Sequence, residues 1–233
     1  MRARFHRHTR RAFQSLRLPE RPRILEAGCG RGTVTFELAR LSQGTILGLD
    51  IDGLALQALQ RTIEDQQLGE RVEVHKLSLL DAPEHLDAPE HLDAPEHLAP
   101  FDPPFDPPFD PPFDLIWAEG VLHLLKLPAA LAACHSLLKD EAFLVLCEAQ
   151  TWLKTNLSVF EAAGFVLHER FDWPPGAWWD EYFEPLQARI RRLKREGGAN
   201  LSELKPYEEQ LASARAHPED LECLHAVFQK QPT

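Results

Sequence analysis

The sequence predicts a doubly wound α/β fold, and three observations carry that prediction. Short apolar runs alternate along the chain with segments of helical spacing. The first run, Arg23 to Ala27, leads into glycines at alternate positions, Gly28, Gly30 and Gly32. The second run, Thr45 to Asp50, closes on an acid. A strand that turns tightly through glycine lets a ligand approach the backbone. An acid at the end of the next strand, roughly 20 residues on, is placed to meet ribose hydroxyls in nucleotide-binding sheets.

The elements follow in order. Phe5 to Leu16 reads as a cationic first helix, with Phe5, Ala12, Phe13 and Leu16 on its apolar side, and Leu18 to Pro22 breaks it. A helix from about Gly32 to Leu41 follows the glycine turn and ends at Ser42-Gln43-Gly44. Asp52 is the expected N-cap of a helix from about Gly53 to Leu68, because Leu54, Leu56, Ala58 and Leu59 follow it at once. Arg71 to Lys76 alternates like a strand with one wetter face, and Ser78 and Leu79 lie just beyond its end.

Residues 81–98 are DAPEHL three times over, and residues 101–112 are FDPP three times over. Recurrent proline is expected to block a helix here, and tandem proline a central strand. With one unit of each kept, the text reads as an ordinary loop into a strand. The reading is therefore a simple-sequence expansion within a surface loop, which lengthens a connection at low entropic cost. His85, His91 and His97 owe their spacing to duplication, so no metal site is read from them.

Phe113 to Gly120 is a fourth strand and its exit, and Val121 to Leu138 is largely helical with an interruption near Pro128. Ala142 to Cys147 is a fifth strand ending at Glu148. A helix from Leu157 to Ala163 with Gly164 as its cap precedes a sixth strand, Phe165 to Phe171. Trp173-Pro174-Pro175-Gly176 opens an insertion of two helices, Ala177 to Glu196 and Ser202 to Ala216, and Leu221 to Phe228 is the last strand.

Composition excludes several function classes. None of the apolar runs in the 233 residues approaches the roughly 18 residues of a membrane helix, and the N-terminus lacks the apolar run of a secretory leader. Cys29, Cys134, Cys147 and Cys223 lie far apart with no C-x-x-C pair, so neither zinc nor a disulfide framework is indicated. Reduced thiols and a cytoplasmic location are expected. A formal charge of −11 makes nucleic acid an unsuitable partner, and the chain stays mildly acidic when the surplus repeat copies are set aside.

The glycine spacing narrows the ligand. A dinucleotide fingerprint, G-x-G-x-x-G, requires glycine at position 33, where Thr33 stands. The run Glu26-Ala27-Gly28-Cys29-Gly30-Arg31-Gly32 instead resembles motif I, E-x-G-x-G-x-G, of the class I S-adenosylmethionine (SAM)-dependent methyltransferases. Thr9 to Phe13, Ile116 to Gly120 and Trp178 to Leu186 are similar to a bacterial branch of small-molecule-type methyltransferases. The resemblance implies a Rossmann-like sheet of seven strands in the order 3-2-1-4-5-7-6, with the seventh antiparallel. It implies an N-terminal helix and linker at 1–22, a SAM-binding core at 23–173 with the repeat loop at 81–112, a helical lid insertion at 174–218, and the core's final strand at 219–233.

SAM is then the expected cofactor and a small molecule the expected methyl acceptor, with no nucleic acid or membrane partner. Glu26, Gly28, Gly30 and Gly32 are expected to hold its methionine part and Asp50 its ribose. Ile51 is the apolar neighbour of adenine, and Ser78 and Leu79 line the adenine edge. Glu119 ends the fourth strand on the methyl-donor side and is a candidate for both cofactor contact and catalysis; a solvated loop acid is its other reading. His123 is a candidate general base, because its unperturbed pKa lies near neutrality, or else a histidine packed among Leu122, Leu124 and Leu125. Trp178, Trp179 and Tyr182, with Phe13, are candidates for the acceptor wall, and core packing is the alternative. The branch usually has an aromatic and a glycine-bearing turn where His123-Leu124-Leu125 stand, and a longer segment than Thr151 to Ser158, so the resemblance implies no particular acceptor. A catalytically silent SAM-binding or interaction protein is one rival reading. A nicotinamide-dependent oxidoreductase is the other, disfavoured by Thr33.

Overall fold

The computed structural model describes residues 2–86, 110–196 and 201–232. Its strands are β1 (Arg23–Ala27), β2 (Thr45–Asp50), β3 (Val72–Lys76), β4 (Phe113–Glu119), β5 (Leu138–Ala149), β6 (Phe165–Asp172) and β7 (Cys223–Lys230). They form one sheet in the order β3-β2-β1-β4-β5-β7-β6, as the resemblance implies. The first five pair in parallel, and β7 runs antiparallel between β5 and β6. The central strands are apolar along their length because both faces are covered: Ile24, Leu25, Ile46, Leu47, Leu115 and Ile116 are all fully buried. β3, at one edge, carries the wetter alternation Glu73, His75.

Leu25, Leu47, Ile116 and Leu144 point to one face and pack against α4 (Ala82–Leu86), α5 (Leu127–Leu137) and α6 (Gln150–Ala162). Ile24, Ile46, Leu115, Trp117 and Val145 point to the other, against α1 (His6–Gln14), α2 (Thr33–Leu41) and α3 (Gly53–Asp65). Asp52 caps α3 as expected: its Oδ1 accepts the backbone N–H of Leu54 at 2.9 Å and of Ala55 at 3.1 Å. Within the insertion, α7 (Glu184–Glu196) and α8 (Leu201–Ala216) close a satellite core of Phe183, Leu186, Ile190, Leu204 and Leu211.

Several boundaries depart from the sequence reading. The first DAPEHL copy does form a short helix, α4, because Pro83 sits in its first turn, where the missing N–H has no intrahelical partner to lose. The further repeat residues, 87–109, lie outside the described residues. Val121 to Leu138 divides into a 3-10 turn at Leu122–Leu124 and α5, with Pro128 again in a first turn. β5 starts at Leu138, ahead of Ala142, and passes through Glu141 at φ +63° with a register shift against β4. α6 starts at Gln150 instead of Leu157, since Leu153, Leu157 and Phe160 share one face against the core. A five-residue π turn, Trp179–Phe183, precedes α7, and a 3-10 turn at Pro218–Leu221 precedes β7.

Candidate functional site

β1 and β4 are neighbours although β2 and β3 lie between them in sequence. The chain leaves β1 on one side of it and returns on the other, so the loops after Ala27 and Ala118, which are register partners, open a crevice. Gly28, at φ +73°, borders it; a Cβ there would lie 3.0 Å from the Cβ of Val121, so only glycine lets the two loops approach this closely. Gly32 is the N-cap of α2 at φ +80°, and a Cβ would lie 2.3 Å from Leu59 Cδ1. The loop is held to the next strand through Asp50. Its Oδ2 accepts the Gly30 N–H and its Oδ1 the Asp52 N–H, each at 2.8 Å. Each oxygen keeps a lone pair for a further donor.

Glu26, near the end of β1, is 3% exposed, and its Oε2 is buried without a hydrogen-bond partner among the described residues. Burial pushes its carboxyl up to about 8, with Glu119 and Asp50 pushing the same way and Thr35 opposing. An orphaned carboxyl oxygen at a cavity wall fits an incoming ammonium. Arg31, exposed on the same loop, also borders the cavity and was missed in the sequence, where it reads only as a spacer between glycines.

Beyond Asp50 the surface is open and apolar. Ile51 is 72% and Leu54 73% exposed, which leaves an uncovered apolar pair beside a ribose-type acid. Leu77 N–H donates to the Asp50 carbonyl at 3.1 Å, and this brings the turn containing Ser78 and Leu79 alongside. Ser78 Oγ accepts the Leu80 N–H at 3.2 Å; Leu79, expected at the adenine edge, is corrected, because its side chain is buried in the core.

On the other side of the glycine loop is a cavity of about 640 Å³, within the usual range for small-molecule sites. Besides the glycine loop, its wall draws on Phe5 and Thr9, on Glu119 and His123, on Cys147 to Ala149, on Trp173 with Trp178 and Tyr182, and on Asp220, Leu221 and Cys223. Two expected wall residues are corrected. Phe13 does not border the cavity; it packs towards Trp117, ring centroids 6.3 Å apart, and Phe5 and Thr9 take the place expected of it. Trp179 turns away to stack on Phe183 at 6.1 Å, under the Arg215 guanidinium, because adjacent helical residues project in different directions. Trp178 and Tyr182, in edge contact at 5.4 Å, do face the cavity.

α1 reaches this position because a buried carboxylate pins it. Glu37 of α2 is fully buried and pairs with His6 Nδ1 at 3.1 Å, with Arg10 Nε, and with Arg40 at 3.1 Å. Arg7 joins α1 to the insertion through a bidentate pair with Glu181. His8 stacks on Trp173 at 4.4 Å; burial, with Arg7 adding to it, lowers its pKa to about 4, so the ring is neutral near pH 7.

His123 lies in the 3-10 turn, about two-fifths exposed, and is not packed within a helix. Its Nδ1 is 2.8 Å from Glu148 Oε2, and its backbone N–H donates to Glu148 Oε1 at 3.4 Å. With the nearly buried carboxylate accepting from Nδ1–H, Nε2 is the lone-pair nitrogen. The hydrogen bond to Glu148 raises the histidine pKa above its ordinary value, against partial burial.

Glu119 anchors a second chain of hydrogen bonds. Its Oε1 accepts from Trp117 Nε1 at 2.9 Å, His225 Nε2 at 3.0 Å and Thr9 Oγ1 at 3.2 Å. Trp173 Nε1 donates to His225 Nδ1 at 3.0 Å. Indole is only a donor, so Nδ1 must accept and the ring's proton sits on Nε2. Glu119, Cys147 and His225 bring one ligand atom each within 4.8 Å of one another, a set that metals use. The tautomer works against that use: a metal at Nε2 would displace the proton and require an imidazolate. The buried His225 is therefore a hydrogen-bond relay between Trp173 and Glu119.

Residues 25–144, just over half of the chain, match the model of a methyltransferase domain. The chain belongs to that family. Methyltransferase-domain proteins use SAM; the orphaned Glu26 oxygen and the glycine cradle fit its methionine part, and the half-satisfied Asp50 carboxylate fits its ribose. An uncharacterized Synechococcus sp. protein, syc1184_c, is 36% identical over 84 residues, 35% of this chain and 20% of that protein. The chain thus matches about a fifth of that curated relative's length. Among solved structures, the (4+2)-cyclase SpnF superposes with a TM-score of 0.71 at 17% identity, covering 98% of this chain and 81% of that one. A proposed sarcosine dimethylglycine methyltransferase of Galdieria sulphuraria gives 0.68 at 13%, over 98% and 85%. Haemonchus contortus phosphoethanolamine N-methyltransferase 2, solved with SAM, gives 0.65 at 11%, over 97% and 52%. At these identities the likeness is one of fold. Among the described residues, no helix is long and apolar enough to cross a membrane.

Proposed function

We propose that the protein transfers a methyl group from SAM to a small-molecule acceptor, with His123 as general base. The observation that carries this reading is the His123–Glu148 pair, set on the same cavity that the glycine loop borders. SAM would supply an electrophilic methyl on a sulfonium. Glu26 and Arg31 would hold the ammonium and carboxylate of its methionine part, Asp50 the ribose hydroxyls, and Ile51 with Leu54 the adenine face, beside Ser78. Displacement at a sulfonium needs alignment more than a dedicated nucleophile, and alignment alone can contribute roughly 7–11 kcal/mol. Glu148 orients His123 and stabilises it once protonated, so that Nε2 can take the acceptor's proton.

Within this reading the core comprises 23–173 and 219–233, and α1 with the insertion at 174–218 forms the acceptor wall. A second reading, a protein of this fold that does not methylate, is kept in view by the likeness to a cyclase. Titration calorimetry with SAM and NAD, followed by methyl-labelled SAM in metabolite extracts, tests both. Tight SAM binding with labelled product supports methyl transfer. SAM binding without transfer to any metabolite favours the silent protein, and preference for NAD overturns the cofactor.

A further inference from the structure

We propose that the acceptor is an amine, taken up as its ammonium form between Glu119 and the aromatic wall; this rests on the methyl-transfer reading above. Glu119 is the first reason. All three of its donors fall on Oε1, which leaves Oε2 without one among the described residues, on a side chain that borders the cavity. Burial alone would raise its carboxyl, but the hydrogen bond and electrostatic attraction of His225, with the hydrogen bonds from Trp117 and Thr9, outweigh burial and hold it below its ordinary range. A carboxylate kept ionised in a half-closed cavity calls for a cation.

The wall is the second reason. Phe5, Trp173, Trp178 and Tyr182 form one contiguous set, with ring centroids 4.8 Å apart for Phe5–Trp173, 4.5 Å for Phe5–Trp178 and 5.4 Å for Trp178–Tyr182. Trp173 is tied to Glu119 through His225, so the rings and the carboxylate belong to one framework. Aromatic faces attract an ammonium through the negative face of the ring quadrupole. They offer nothing comparable to a carboxylate or phosphate, which Glu119 and Glu148 would in addition repel.

The chemistry closes with His123. Its Nε2 takes one proton from the bound ammonium. The freed nitrogen lone pair then forms the new N–C bond as the C–S bond breaks, and that electron pair stays on sulfur. The products are an N-methylated ammonium and a neutral thioether, and His123 returns its proton to solvent.

The test uses a matched trio, 2-phenylethylamine, 2-phenylethanol and phenylacetate, titrated into the full-length protein saturated with S-adenosylhomocysteine and followed by tryptophan fluorescence. The amine is expected to bind about tenfold more tightly than the alcohol, with phenylacetate weakest. Glu119→Gln keeps an oxygen for Thr9, Trp117 and His225 and is expected to abolish that preference in protein still saturated with S-adenosylhomocysteine. Trp178→Leu is expected to weaken the amine alone and serves if Glu119→Gln does not fold. Equal or absent binding of amine and alcohol overturns the proposal, as does a preference that survives both variants. In extracts supplied with methyl-labelled SAM, label on nitrogen supports it and label confined to oxygen, sulfur or carbon overturns it. Failure to bind S-adenosylhomocysteine at all would overturn the cofactor reading, and the trio, titrated into the free protein, would still decide the amine preference.

Discussion

The two halves of the site are built from different materials. In the proposed cofactor cradle, backbone does most of the work: glycines at positive φ, the Gly30 N–H on Asp50, and paired strand ends, all between Glu26 and Leu54 in one continuous βαβ stretch. In the proposed acceptor cavity, side chains do it, and they come from distant places. Thr9 meets Glu119 across 110 positions, His225 meets Glu119 across 106, and Trp173 meets His225 across 52. A backbone cradle tolerates little change, because adding one methyl group at Gly32 would strike Leu59. A wall of side chains can change its lining while the sheet beneath stays the same. One scaffold can therefore keep its cofactor and vary its acceptor.

The sharpest way to break that division is His123. Replacement by Ala should lower turnover about 10²- to 10⁴-fold, the usual contribution of a general base, and leave SAM affinity unchanged. A pH profile adds a direction. The base works when neutral and Glu148 raises its pKa above 6.5, so activity should climb through a limb above that value. Glu148→Gln should move the limb down. A profile that does not shift would remove His123 from the proton path.

Next in size is Asp50→Ala, expected to weaken SAM binding by about 1–3 kcal/mol, or roughly 5- to 150-fold, through the lost charged acceptor. Part of that loss comes from releasing the Gly30 N–H, so Asp50→Asn, which keeps one acceptor oxygen, should be milder. Acceptor KM should stay within about twofold. A large acceptor effect would mean that the two halves are not separable.

A smaller contrast lies within the insertion. Trp178→Leu should raise acceptor KM about tenfold and Trp179→Leu less than twofold, since only Trp178 faces the cavity. Equal effects would return both to a purely structural role, and a melting scan would then show comparable destabilisation.

The same contrast explains how much could be read before folding. β1, the glycine turn, β2 and the capped α3 are local patterns, with strand period, glycine spacing and an Asx cap lying side by side in the text. The sheet order was legible too, though only through the resemblance to a known family. The acceptor wall was half legible. Phe5 carried the same apolar signal as Phe13, and only the docking of α1 by the buried Glu37 decides which of them reaches the cavity. Trp178 and Trp179 are alike in sequence and divided by about a third of a helical turn. His225 and Glu148 gave no local signal at all, one lying in an apolar run and the other at a strand end. Glu148 meets His123 only when β5 pairs with β4, and His225 meets Glu119 and Trp173 only when β7 inserts beside β5.

The least conspicuous effect concerns Glu26, and its sign can be worked out. The folded carboxyl titrates at about 8 because it is buried, against an ordinary value of 4.5. Between those values the folded chain holds a proton that the unfolded chain has released, so the contribution of Glu26 to stability is greatest at low pH, falls as pH rises from 4.5, and stops falling a little above 8. Glu26→Gln stays neutral throughout, so the wild type should lose melting temperature relative to this variant between pH 5 and 9. Parallel curves would mean that Glu26 is ionised in the folded state from the start. Cofactor binding should act in reverse. An ammonium beside Glu26 favours the carboxylate, so binding near pH 7 should expel up to about one proton, a quantity that calorimetry resolves as a dependence of apparent enthalpy on buffer ionisation. Subtracting the Glu26→Gln titration removes any contribution from the cofactor's own amine. A wild type that releases no more protons than the variant would place the ammonium elsewhere, and the methionine end of the site would have to be sought around Arg31 and the α2 N-terminus instead.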